Sequence, residues 1–282
     1  MLLRRVLSAA VGIPVIVALI LIGGVPYTVA VAIILALGVL EFYAATDPET
    51  SATSAAYPRL RRAAPTLFGQ RMPAFAGCGG VVLLVAAAYG GLDELTGALA
   101  GLIAGVFLIL ILRQDAQTGL SDWLWIVGGL AYVGFLGAHL LLLRDLDDGR
   151  EWVFVAVFST FVADTAAYFV GRALGRRQIA PAVSPGKTVE GGIAGLVAGF
   201  GAVFIIVWVV GLDVDELKLL PLALLLPAVA VVGDLGESLI KRGAGVKDTS
   251  DLVPGHGGFL DRLDSVLFTT PLVYYFVIWV VL

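Results

Sequence analysis

Long apolar stretches alternate with short polar connections along the 282 residues of this chain. A helix needs about 20 apolar residues to cross the hydrocarbon core of a bilayer. Nine stretches come close to that length, and they lie at 6–22, 25–43, 74–90, 95–112, 123–143, 152–171, 189–211, 219–240 and 266–282. The pattern predicts an all-α integral membrane protein, a polytopic bundle of about nine transmembrane helices.

The composition supports a membrane protein. Hydrophobic residues make up 59% of the chain and charged residues 14%, and the mean hydropathy is +0.98. A soluble domain of this size cannot bury so much apolar surface. The net charge of −4 argues against a nucleic-acid partner, and Cys78 lies inside an apolar stretch, where a packing role is expected.

The first apolar stretch follows Met-Leu-Leu-Arg-Arg, which resembles the basic start of a secretory signal peptide. The stretch is long, however, and no small-x-small cleavage site precedes Pro26. We interpret it as a retained transmembrane span.

Polar connections divide the chain into two predicted regions. Residues 1–150 read as a scaffold of about five helices, whose longest polar connection, 44–73, is expected to lie against headgroups. Residues 151–282 read as a catalytic region of about four helices, with polar loops at 172–188 and 241–264.

Basic residues predict the orientation in the membrane. When the connections are assigned alternately to the two sides, fifteen of the 18 Lys and Arg residues fall on one side. The other side has Arg144, Arg150 and Lys218. Because basic connections stay in the cytoplasm, we expect a cytoplasmic N-terminus, an external C-terminus and a polar site that faces the cytoplasm of the cell membrane.

Acidic residues interrupt the apolar stretches of the C-terminal half. Asp164 lies in the sixth stretch, and Asp234 and Glu237 lie in the eighth, on one helical stripe with Ser238 and Lys241. Carboxylates are costly in hydrocarbon, so such residues usually face a polar, functional cavity. A transporter could also use them, but we see no inverted repeat of the kind that alternating access requires.

The segment from Ser238 to Asp264 carries most of the candidate chemistry. Its basic residues can neutralise phosphate oxygens, and its acidic residues can hold a hard divalent cation. These residues are Lys241, Arg242, Lys247 and Arg262, and Asp248, Asp251, Asp261 and Asp264. An alternative is that Asp234 and Asp261 form intramembrane ion pairs with Lys241 or Arg262.

The glycine-rich turn Pro254-Gly-His-Gly-Gly258 precedes the last carboxylates of this segment. Glycines allow the backbone to approach a ligand closely. His256 is compatible with a proton shuttle, with a donor to phosphate or with a residue that stabilises the turn.

A second motif, Ser184-Pro-Gly-Lys-Thr188, precedes the seventh apolar stretch. It is not a nucleotide P-loop, because Pro181 stands where that motif requires its first glycine. Lys187 can instead bind phosphate as a point charge, with Ser184 and Thr188 near a helix N-terminus that favours anions. The alternative is an ordinary cytoplasmic connection with a helix cap.

These motifs resemble those of the phosphatidate cytidylyltransferases, or CDP-diacylglycerol synthases. The segment 238–264 has S-x-x-K-R, K-D, P-x-H-G-G and D-R-x-D in the order and spacing of that family. The resemblance extends to 163–172, 184–191 and 233–238. One departure is Gly186, where the family usually has a second lysine.

The resemblance implies a membrane enzyme that transfers the cytidylyl group of CTP to phosphatidic acid, with homodimers and a second metal ion known in the family. We assign Mg²⁺ to Asp234 and Asp261, and we expect Asp264 and Glu237 to support these ligands or to replace them. Catalytic roles are expected for Asp234, Asp261, Lys241, Arg262, Asp264 and His256, and substrate contacts for Ser184, Lys187, Thr188, Ser238, Arg242, Lys247, Asp248 and Asp164. A CTP-dependent polyprenol kinase is the alternative enzyme, and it would need a base to activate a hydroxyl.

Overall fold

The computed structural model describes residues 2–47, 72–113, 118–250, 252 and 257–282. Most of the predicted connection 44–73 and His256 therefore lie outside the described residues. The helices are α1 Leu2–Ile22, α2 Gly24–Thr46, α3 Met72–Ala87, α4 Leu92–Arg113, α5 Gly119–Gly129, α6 Leu136–Asp145, α7 Gly149–Leu174, α8 Val189–Val210, α9 Glu216–Gly243, α10 Leu260–Leu263 and α11 Val266–Phe276. Two π-helical segments, Leu130–Phe135 and Val277–Val281, follow α5 and α11 directly.

The helices coincide with the predicted apolar stretches, and the all-α membrane fold is confirmed. Within the described ranges, seven helices are long and apolar enough to cross a bilayer, when consecutive helical segments are counted together, as in Gly119–Asp145 and Leu260–Val281. The apolar parts of α1 and α3, Ala10–Ile22 and Ala74–Ala87, are shorter, so the number of nine spans stays a prediction. Several helices run past the predicted stretches, as Glu216–Gly243 does, because polar residues at their ends continue the helix.

The chain forms two compact units, and each is discontinuous in sequence. The first unit combines Met1–Leu142 with Ile240–Arg262, and the second combines Leu143–Leu239 with Leu263–Leu282. The segment that resembles the family motifs is therefore divided between the two units.

In the first unit, Tyr43 of α2 is fully buried. Its hydroxyl donates a hydrogen bond to the carbonyl of Ile126 at 2.8 Å. A Cβ atom at Gly77 or Gly129 would lie 2.3 or 2.5 Å from the Tyr43 ring or hydroxyl, so these glycines make room for the side chain. The tyrosine thus connects α2, α3 and α5.

In the second unit, α7 and α8 pack through small residues. A Cβ atom at Gly191 would lie 2.6 Å from the carbonyl oxygen of Ala167, and one at Gly195 would lie 3.0 Å from that of Ala163. Small residues let two helix backbones approach closely, which is a common way to pack helices in a membrane. This contact brings the start of α8 close to the end of α7.

Candidate functional site

A short β-hairpin precedes α8 in the second unit. Strand β1, Gln178–Ala180, pairs antiparallel with β2, Ser184–Thr188. The polar segment 172–188, predicted as a loop, is therefore partly a hairpin, because its backbone amides and carbonyls pair with one another. The Gln178 side-chain amide also donates to the carbonyl of Pro185 at 2.9 Å.

Thr188 links the hairpin to α8. Its hydroxyl oxygen accepts a hydrogen bond from the amide of Gly191 at 3.2 Å, which makes it the N-cap of the helix. At the same end, the Glu190 carboxylate accepts hydrogen bonds from the amides of Arg176 and Arg177 at 2.9 and 3.3 Å. These contacts fix the path of the chain on both sides of Lys187.

The hairpin and parts of three helices line a cavity of about 510 Å³. The cavity contains five residues that the sequence predicts as site residues, which are Asp164, Ser184, Lys187, Thr188 and Asp234. Tyr168 and Arg172 also line it, and they follow Asp164 at helical spacing along α7. The Arg172 guanidinium donates to the Tyr168 hydroxyl at 3.0 Å. The sequence predicted neither residue as a ligand contact, although the i, i+4, i+8 spacing from Asp164 was a usable signal.

Lys187 and Asp234 form an ion pair within this cavity. The Lys187 ammonium lies 2.7 Å from a carboxylate oxygen of Asp234, and the two side chains are 21% and 34% exposed. The sequence suggested Lys241 or Arg262 as the ion-pair partner of Asp234. The structure shows Lys187 in contact with Asp234.

Asp234 belongs to a cluster of three carboxylates. Asp234, Glu237 and Asp264 each place an oxygen within 4.8 Å of the others. Asp234 and Glu237 share one face of α9 because they are three residues apart. A Cβ atom at Gly233 would lie 2.6 Å from the carbonyl oxygen of Asp264, so the absence of a side chain there allows the chain at Asp264 to approach α9.

The acidic cluster is suited to a hard divalent cation. It supplies oxygen ligands from three separate side chains, and Mg²⁺ and Ca²⁺ prefer such ligands. The sequence predicted Asp234 and Asp261 as the metal pair, with Asp264 and Glu237 as alternates. In the second unit it is these alternates that surround Asp234.

Asp261 lies in the first unit and is almost fully buried. One of its oxygens lies 2.6 Å from the Lys241 ammonium. The other accepts hydrogen bonds from the amide and hydroxyl of Thr249 at 3.1 and 3.0 Å and from the amide of Gly258 at 2.7 Å. The ion pair with Lys241 that was considered as an alternative is therefore present, and the same carboxylate organises the loop before it.

Glu41 holds the same loop in the first unit. It is completely buried near the end of α2. One of its oxygens accepts from the Ser250 hydroxyl at 2.6 Å and from the amide of Phe259 at 3.1 Å, and the other accepts from the amide of Leu260 at 2.8 Å. Glu41 is not among the site residues predicted from the sequence, although a carboxylate at the end of an apolar stretch was a signal for it.

The remaining predicted site residues are Ser238, Arg242, Lys247, Asp248, Arg262 and His256. Arg242 donates to the carbonyl of Val246 at 3.0 Å. Lys247, Asp248 and Arg262 are exposed, and Ser238 is buried in α9. His256 lies outside the described residues.

Comparisons with known proteins identify relatives across the whole chain. The sequence model of the cytidylyltransferase family matches residues 3–280. A phosphatidate cytidylyltransferase of Synechocystis is 30% identical over 303 residues, which cover 98% of this chain and 96% of that protein. Proteins of the same name from Bacillus subtilis and Haemophilus influenzae are 40% and 45% identical over 145 and 134 residues, and those matches cover 54% and 45% of the two relatives.

Proposed function

Because the chain belongs to the cytidylyltransferase family, we propose that it is a membrane enzyme that transfers the cytidylyl group of CTP to phosphatidic acid. The products are CDP-diacylglycerol and pyrophosphate, and the pathway is phospholipid biosynthesis. One observation carries the proposal: the cavity of the second unit combines the Lys187 and Arg172 cations with Asp234, a member of the acidic cluster.

Asp234, Glu237 and Asp264 are the residues we propose as the holders of Mg²⁺. The fit rests on three carboxylates whose oxygens lie within 4.8 Å of one another, a donor set that a hard cation prefers. When bound, Mg²⁺ supplies positive charge that stabilises the phosphate oxygens of the nucleotide and of the departing pyrophosphate. A second metal ion, implied by the family resemblance, stays a prediction.

The reaction requires little acid–base chemistry from the protein. The attacking group is a phosphate monoester, and its second pKa of about 6 leaves it largely dianionic at neutral pH. Its oxygen forms a bond to the α-phosphorus of CTP, while the bond from that phosphorus to the bridging oxygen breaks and pyrophosphate leaves. Because no proton has to be removed from the nucleophile, the protein acts chiefly by positioning and by charge neutralisation.

The cavity residues have roles that follow from their charge. Lys187, held beside Asp234 by the hairpin, is a point charge for a phosphate group. Arg172 offers a planar set of donors that can bind two phosphate oxygens together. Thr188 is the N-cap of α8, where the helix dipole favours an anion. Ser184 begins strand β2 and lines the same cavity.

Lys241, Asp261 and Arg262, which lie in the first unit, also have proposed roles. Asp261 holds the Lys241 ammonium at 2.6 Å, and this contact keeps a cation of the family motif in a defined position. We propose phosphate contacts for Lys241 and Arg262, in agreement with the resemblance.

The protein is an integral membrane protein, as its apolar helices indicate, and we propose that its site faces the cytoplasm. The distribution of basic connections supports this orientation. CTP is a soluble, highly charged nucleotide, so a site that opens to an aqueous compartment is required for access. The homodimer implied by the resemblance stays a prediction.

Purified protein in lipid nanodiscs that contain phosphatidic acid, incubated with labelled CTP and Mg²⁺, provides the test. We expect label in a CDP-lipid and release of pyrophosphate in equal amounts. A polyprenol kinase would instead yield a lipid phosphate and CDP. Absence of a CDP-lipid with intact, folded protein would overturn the proposal.

A further inference from the structure

We propose that Glu41, a residue of the N-terminal half, is a positioning residue that holds the loop preceding the D-R-x-D motif in its working conformation. The loop of interest is formed by the described residues 249, 250 and 257–260, and we call it the motif loop. This inference rests on the proposed function, because the motif loop leads directly into Asp261 and Arg262.

Glu41 is a buried carboxylate that binds the motif loop through several hydrogen bonds. Its carboxylate is completely buried, and three donors from the motif loop converge on it, which are the Ser250 hydroxyl and the amides of Phe259 and Leu260. A buried carboxylate without donors would be strongly unfavourable. The hydrogen bonds of the buried Glu41 carboxylate therefore favour this one conformation of the loop.

Adjacent residues of the motif loop bind two different carboxylates. Thr249 binds Asp261, whereas the next residue, Ser250, binds Glu41. In the same way Gly258 donates to Asp261, and the next residue donates to Glu41. Glu41 and Asp261 thus form a clamp on the motif loop. Because neighbouring loop residues donate to the two carboxylates in turn, a shift of either carboxylate would strain the hydrogen bonds to both.

Gly258 makes the clamp tight. A Cβ atom at this position would lie 2.4 Å from an oxygen of Glu41 and 2.4 Å from the hydroxyl of Thr249. Glycine is therefore required for the close approach of the loop backbone to Glu41. The position of Asp261, and through it of the Lys241 ammonium, follows from this packing.

The first measurement reports loop conformation without any requirement for activity. In a Cys78→Ala background, Leu252→Cys places a thiol on a half-exposed residue whose amide donates to the Ser250 hydroxyl. We expect Glu41→Gln to raise the rate of maleimide labelling at this thiol by about tenfold, because the amide group cannot accept all three hydrogen bonds and the loop opens locally. Glu94→Gln, which changes an exposed glutamate of α4, is the matched control and should leave the rate unchanged.

The second measurement separates positioning from simple loss of folded protein. In the chain that keeps Cys78 and Leu252, Glu41→Gln should raise the KM for CTP or for phosphatidic acid by about tenfold, because Lys241 is no longer held in place. A smaller folded fraction would lower the apparent kcat and leave both KM values unchanged. Ser250→Ala removes one of the three donors and should shift labelling and KM in the same direction by a smaller factor.

The outcomes are distinct. Parental labelling and parental KM values in Glu41→Gln would overturn the proposal, and so would reduced protein yield with both values unchanged. If Glu41→Gln does not accumulate in membranes, the same two measurements on Ser250→Ala decide the question. If the parent itself makes no CDP-lipid, the proposed function fails, while the labelling comparison still tests the clamp.

Discussion

At the scale of single residues, Asp234 belongs to two arrangements at once. It pairs with Lys187 at 2.7 Å and shares the acidic cluster with Glu237 and Asp264. A metal ligand and a phosphate-binding cation are expected to be neighbours in a nucleotidyltransferase, because both act on the same phosphate oxygens. The role of each carboxylate can be tested by removing its charge while keeping its shape.

We expect Asp234→Asn, Glu237→Gln and Asp264→Asn each to lower kcat/KM for CDP-lipid synthesis by at least about 100-fold, or about 2.7 kcal/mol of transition-state stabilisation. The physical reason is that an amide oxygen is a weaker ligand for Mg²⁺ than a carboxylate. Steady-state kinetics at several Mg²⁺ concentrations provide the measurement. Asp213→Asn changes an exposed carboxylate and serves as the control.

Asp261→Asn separates the two views of this carboxylate. The sequence predicts that Asp261 is a metal ligand, whereas the structure shows it bound to Lys241, Thr249 and Gly258. We expect loss of activity in either case. An altered Mg²⁺ requirement would identify a metal ligand, and an unaltered requirement with a changed KM would identify the role in positioning Lys241.

Lys187 provides a second prediction at this scale. Lys187→Ala should lower kcat/KM by at least about tenfold, equivalent to about 1.4 kcal/mol, because one phosphate contact is lost. No atom lies within 4 Å of a Cβ built at Gly186, so a lysine fits there, and Gly186→Lys should partly restore the activity of Lys187→Ala. Kinetics of both single variants and the double variant form the cycle; parental activity in Lys187→Ala would show that this segment is a simple connection.

At the scale of elements, the close contact of α7 and α8 determines where the hairpin and its lysine lie. Gly191→Ala should destabilise the protein by about 1–3 kcal/mol, because the new methyl group would meet the carbonyl oxygen of Ala167 at 2.6 Å. Gly201→Ala is a matched control in the same helix, since nothing lies within 4 Å of its Cβ position. Thermal unfolding of both purified variants tests the difference, and equal midpoints would contradict the packing argument.

At the scale of the whole molecule, the orientation in the membrane can be tested with single cysteines in a Cys78→Ala background. A thiol at Gly186→Cys should be protected from an impermeant reagent in intact cells and labelled after lysis, because basic connections remain cytoplasmic. A thiol at Asp213→Cys, in an acidic connection, should be labelled in intact cells. The reverse pattern would place the cavity on the external side.

The sequence determined the features that depend on local order along the chain. Apolar stretches of membrane length have no favourable alternative to helices in a bilayer, since every backbone group must be paired within the segment. In the same way, Thr188 before Val189 and Glu190 indicated the start of α8, and the spacing of Asp234 and Glu237 placed both on one face of α9. These inferences need no knowledge of distant contacts.

Tertiary structure decided which distant residues meet. Asp261 and Asp264 look equivalent in the D-R-x-D motif, yet Asp264 joins Asp234 and Glu237, while Asp261 binds Lys241. Glu41 holds a loop that begins more than 200 residues later, with Ser250 separated from it by 209 positions. A buried carboxylate requires hydrogen-bond donors, and in a folded chain these can come from residues that are distant in sequence. The local pattern of residues therefore does not predict which donors bind it.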